Sequence, residues 1–121
     1  MTIKLDLEPC AKPRMTQSDK WKKRKCVVKY FSFKDKLNYE ANKVGYKPTV
    51  PLSIVFVITM PKSWSKRKKD QMDGKPHKSR PDLDNLIKAF KDALLEEDSH
   101  VWQYGKMEKR WGHLGNIQII K

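Results

Sequence analysis

In one short stretch, RPDLDNLIKAFKDALLEEDSHV from Arg80 to Val101, three of the four aspartates and one of the two lysines have the types and spacing to do chemistry. Asp82 and Asp84 flank a single leucine, Lys88 follows Asp84 by about one helical turn, and Asp98 closes the stretch. Carboxylates gathered in one place repel each other, and at least one has its pKa raised unless a cation sits between them. Hard divalent ions such as magnesium take oxygen ligands, usually a few carboxylates with water and substrate phosphate completing the shell. Such an ion activates water and stabilises in-line displacement at phosphorus, while a nearby lysine neutralises developing charge or orients the nucleophile. D-x-D alone is a weak pattern. D-x-D-N at a helix start, with lysine at i+4 and an E-D pair just past the helix, is much more specific. A plainer reading stands beside it: Asp82 caps a helix, and Asp84 with Lys88 forms a surface pair worth a few tenths of a kcal/mol.

The element that carries these groups is legible. Leu83, Leu86, Ile87, Phe90 and Leu94 recur at helical spacing, so a helix is expected from Leu83 to about Leu95–Asp98, with Asp82 as its N-cap after Pro81. LSIVFVITM, from Leu52 to Met60, has no polar alternation and reads as a strand buried on both faces. TIKLDL near the amino end alternates as an opening strand, and SFKDKLNYEANKVG reads as a second helix stopped at Gly45. HVWQYGKMEKRW and NIQIIK read as two strands joined through Gly112 to Gly115 as a carboxyl-terminal hairpin. The expected architecture is a single α+β domain over residues 1–121, a mixed sheet of about four strands with two packed helices.

Charge narrows the partner. Lysine and arginine number 27 against 14 acids, a net charge of +13, and such an excess points to a polyanion, usually nucleic acid and sometimes a membrane surface, with a merely solubilising surface as the plainer reading. From Lys12 to Lys36 there are ten basic and two acidic residues, and from Pro61 to Arg80 eight and two. Both stretches read as basic loops, at about residues 9–30 and 61–80, and both contain aromatics suited to a backbone with exposed bases. Arg14, Lys62, Lys66, Arg67, Lys68, Lys69 and Arg80 are the candidate phosphate contacts. For Trp21 and Trp64, stacking on an unpaired base and ordinary packing are both open.

Other classes fall away. Cys10 and Cys26 have no C-x-x-C spacing, and His77, His100 and His113 stand at no zinc-ligand interval from them. The longest apolar run, Pro51 to Pro61, is far short of the roughly 18 residues of a membrane span, and no signal-peptide core opens the chain. A reduced protein of the cytoplasm, with no membrane contact, is expected.

RPDLDNLIKAFKDALLEEDSHV, preceded by a basic loop and a strand ending in MPKSW and followed by GKMEKRW and NIQII, resembles the RusA-type Holliday junction resolvases of bacteria, prophages and phages. The resemblance implies a homodimeric, magnesium-dependent endonuclease that resolves four-way DNA junctions by paired nicks in recombination and repair; whether manganese substitutes for magnesium is left open by the sequence. It implies metal ligands at Asp82, Asp84 and Asp98 and an essential lysine at Lys88. Glu97 and His100 replace the aspartate and glutamine of the family's D-D-x-Q-V pattern, and the link after DAL is shorter than the family's, so Glu97 is the alternative to Asp98. A non-catalytic DNA-binding module and a nuclease for other branched DNA are the competing readings.

Overall fold

The computed structural model describes residues 2–13, 25–95 and 97–120. Four strands, β1 (Thr2–Leu5), β2 (Leu52–Thr59), β3 (Tyr104–Gly112) and β4 (Asn116–Ile120), form one mixed sheet in the order β1-β4-β2-β3. Helices α1 (Lys25–Val44) and α3 (Leu83–Leu94) pack together on one face of it, and a short helix, α2 (Lys66–Met72), packs beside β3. The α+β class and the mixed four-stranded sheet agree with the sequence; the expected two helices become three.

β2 lies inside the sheet because both of its faces are apolar. Ile54 and Phe56 point into the helix-covered core, while Val55 and Val57 on the opposite face are still only 5% and 9% exposed. Phe56 meets Phe90 of α3 edge-on with ring centroids 6.5 Å apart, and the Tyr46 ring lies tilted against Phe90 at 6.4 Å. The stripe of α3 delivers Leu86, Ile87 and Phe90 to this core, with Leu83 and Leu94 packed at its margin.

The carboxyl-terminal hairpin is corrected. β3 pairs with β2 in parallel and β4 pairs with β2 antiparallel, so β2 separates the two strands that were expected to be partners. The reason lies in side chains: β3 carries Lys106, Glu108 and Arg110 on one face, which suits a sheet edge, whereas β2 must be enclosed. Residues 112–115 cross over the end of β2 instead of turning tightly. Gly112 allows the crossing, because a Cβ there would stand 2.3 Å from Val57 Cγ1.

α1 begins earlier than its sequence suggests, so residues 25–30 belong to a helix and not to the basic loop. Val27, Tyr30, Phe33, Leu37 and Ala41 form its buried stripe. It ends as expected at Gly45, whose φ of 70° is the left-handed turn that glycine accepts without strain. The Tyr46 amide donates to Ala41 at 2.9 Å and the Gly45 amide to Asn42 at 3.2 Å, which closes the helix end.

The stretch from 61 to 80 is also more ordered than a loop. Ser65 caps α2 by accepting from the Lys68 amide at 3.2 Å. No residue of α2 is buried, so its sequence carries no apolar stripe by which to find it. Residues 74–77 then run along the free edge of β3: the Gly74 amide donates to Trp111, Trp111 to Lys75, and His77 to Lys109, at 2.8–3.0 Å.

Candidate active site

α3 starts where the edge-bound segment ends. Asp82 takes the N-cap position with extended backbone, φ −69° and ψ 144°, and its carbonyl accepts from the Asn85 and Leu86 amides at 3.1 and 3.2 Å. Its carboxylate makes no capping hydrogen bond among the described residues. A capping aspartate spends its side-chain oxygens on the amides of the first turn. Asp82 holds the position and leaves its carboxylate outward. Asp84, in the first turn, is likewise exposed.

Both aspartates line one open cleft, together with Lys78, Arg80 and Lys109. Two carboxylates near the positive end of a helix dipole are favourably placed, and the three cations make the rim attractive to phosphate. Lys88 is exposed on the next turn of α3. The chain beyond the Leu95 C-cap passes through a short 3₁₀ turn at Asp98–His100. The side chain of Asp98 lies outside the described residues. Glu97 is exposed and accepts from the Ser99 hydroxyl at 3.2 Å.

Among the described residues no three acidic, histidine or cysteine side chains gather to hold a metal. The pair Asp82 and Asp84 nevertheless fits magnesium or manganese: both offer hard oxygen donors, both face solvent, and magnesium commonly binds through one or two carboxylates plus substrate phosphate.

Lys62, Lys66, Arg67 and Lys68 are exposed and Lys69 is half-buried, all on α2 or its approach. Arg80 stands on the cleft itself. Arg14 and Trp21 fall outside the described residues. The chain reaches that segment beside α3, where the Lys12 amide donates to the Asn85 carbonyl at 3.0 Å and the Lys12 ammonium pairs with Asp92 at 2.7 Å. For Trp64 the structure shows packing: its ring lies 4.8 Å from that of Trp111, with the Lys68 ammonium 4.2 Å above it.

Two residues next to the cleft escaped the sequence reading. Lys109 shares its face of β3 with Met107 and Trp111, so it is a lysine in the inward phase of a strand, and that parity was the available signal. His77 is only 4% exposed and its ring lies 4.0 Å from Trp111. Burial holds the His77 pKa below its ordinary 6.5, and the positive charge of Lys109 pushes it the same way.

The folded protein therefore takes this proton less readily than the unfolded chain. As pH falls below about 6.5 the unfolded state binds more protons, so His77 lowers stability across the window between that value and its folded pKa. Above the window its contribution is complete. His77→Phe keeps an aromatic ring on Trp111 and is expected to flatten this slope. Urea unfolding at about pH 7.5 and about pH 5.5 reads it, and an unchanged slope would exclude His77 as the source.

A family model described as endodeoxyribonuclease RusA matches residues 6–119 of the 121-residue chain. The protein is thus a nuclease that cuts DNA within the strand. It belongs to the RusA family of Holliday junction resolvases. No curated protein matches the chain, and neither does any solved structure.

Proposed function

We propose that the chain is a magnesium-dependent resolvase acting as a homodimer on four-way DNA junctions, cutting two opposed strands during recombination and repair in a bacterial cytoplasm, as a prophage or phage product. The observation that carries the reading is the N-cap of α3, where Asp82 occupies the capping position without using its carboxylate as a cap. Asp84 faces the same cleft, amid cations.

In this reading Asp82 and Asp84 hold the divalent ion, and Asp98, or Glu97 in its place, adds a third carboxylate. The bound ion supplies charge neutralisation at the scissile phosphate and activation of water. Arg80 and Lys78, on the cleft rim, draw the phosphate in and fix its orientation. Lys88 stands one turn along the helix to offset negative charge that develops at phosphorus. Lys62 and the cations of α2 hold flanking phosphates without regard to sequence. A four-way junction has approximate two-fold symmetry, so a dimer with a dyad sets two equivalent sites on two equivalent strands.

The test compares a mobile four-way junction, a fork and a linear duplex at matched salt, with and without magnesium. Paired nicks in the junction alone, and only with magnesium, are expected. Equal cutting of fork or duplex would reassign the enzyme to another branched or plain DNA substrate.

A further inference from the structure

We infer that Lys109 is a positioning residue: its ammonium clamps the segment that presents Asp82 and Asp84 and thereby sets the affinity of the site for a divalent ion. The inference rests on the metal-site reading above and adds a residue to it.

Lys109 belongs to the inward face of β3. Its parallel partner on β2 is the core residue Phe56, and its neighbours in phase are Met107 and Trp111. A charge brought to such a place must be hydrogen-bonded to be tolerated. The Lys109 ammonium donates to the carbonyl of Ser79, and to that of Pro81 at 2.6 Å. These two carbonyls bracket Arg80, and the second is the last before Asp82.

The backbone of the same residue holds the segment's other end, since the Lys109 carbonyl accepts from the His77 amide at 3.0 Å. One strand residue therefore fixes residues 77–81 at both ends, by main chain and by side chain. Lys109 also borders the cleft that Asp82 and Asp84 line. The pair's place relative to the sheet is thus set by a group that belongs to neither the helix nor the loop.

Two effects of removing this lysine have opposite signs. Loss of a positive charge beside two carboxylates would by itself tighten cation binding. Loss of the clamp lets the carboxylates drift and weakens it. Groups that orient metal ligands typically alter affinity by roughly 10–100-fold when removed, and the clamp dominates because the ammonium is committed to the two carbonyls.

The experiment titrates manganese into the full-length protein without DNA and follows the signal of the free ion by electron paramagnetic resonance. Lys109→Met is expected to weaken manganese binding by roughly 10-fold or more. It should raise the magnesium concentration for half-maximal junction cleavage in proportion. Lys109→Arg, whose guanidinium can serve both carbonyls, should recover most of the affinity. If Lys109→Met does not fold, Lys109→Gln, neutral with a shorter donor, provides the same reading and the same expected weakening. Manganese binding that is unchanged or tighter in the neutral variant overturns the clamp. Asp84→Asn in the same titration separates the two ideas. If it binds manganese as the parent does, the metal-site reading fails and takes this inference with it. If it loses manganese while the neutral lysine variant does not, only the role of Lys109 fails.

Discussion

Asp84→Asn is expected to lower cleavage of a four-way junction by roughly a thousandfold or more while leaving junction binding in place. The substitution keeps the shape of the side chain and removes one of two carboxylates that face the cleft. Asp84 is exposed in the first turn of α3 and contributes to the fold through the helix dipole, an effect of a few tenths of a kcal/mol at the surface. A stability of the usual order, about 5–15 kcal/mol, absorbs that loss. The net charge rises from +13 to +14 when one acid is removed from the sequence, so attraction to DNA is not weakened. A gel-shift titration without magnesium measures binding, and single-turnover cleavage with magnesium measures chemistry. Full cleavage by this variant would return Asp84 to the role of a helix-end charge.

The local half of this site was legible because its determinants are local. Asp82, Asp84 and the stripe from Leu83 to Leu94 lie on one helix, and helical spacing alone places the acids at its start. β2 was legible for a similar reason, since an unbroken apolar run can only be enclosed. Pairing is different. Nothing in the alternation of β3 or β4 states which strand lies beside it, and two adjacent strands suggest a hairpin until the demand of β2 for two neighbours is weighed. α2 was hidden because it buries nothing, and the first turns of α1 because Val27, Val28, Tyr30 and Phe31 are as much at home in a strand. Lys109 reaches the segment before Asp82 only through the parallel pairing of β3 with β2 and the edge pairing of residues 74–77, contacts that no single stretch encodes. Asp98 matches a family pattern only across a shortened link, and its side chain lies outside the described residues.

The second large effect concerns binding without chemistry. Replacing Lys66, Arg67, Lys68 and Lys69 together with glutamine removes four charges, taking the chain from +13 to +9, at a helix in which nothing is buried. The cap survives, because Ser65 accepts from the Lys68 main chain and not from its side chain. What is lost within the protein is the Lys68 contact over Trp64, worth about 0.5–1 kcal/mol at an exposed site. Each cation that meets a phosphate steepens the logarithmic salt dependence of binding by about 0.9, so four such contacts lower the slope by up to about 3.6 and weaken binding most at low salt. Cleavage at saturating DNA should be retained, since Asp82, Asp84 and Lys88 are untouched. A salt titration of junction binding, set beside single-turnover cleavage at saturation, reads both quantities. An unchanged slope would make α2 a solubilising surface and shift the DNA path to the rim cations Lys78 and Arg80. A reduced slope with cleavage intact would place the grip on DNA at α2 and the chemistry at the start of α3.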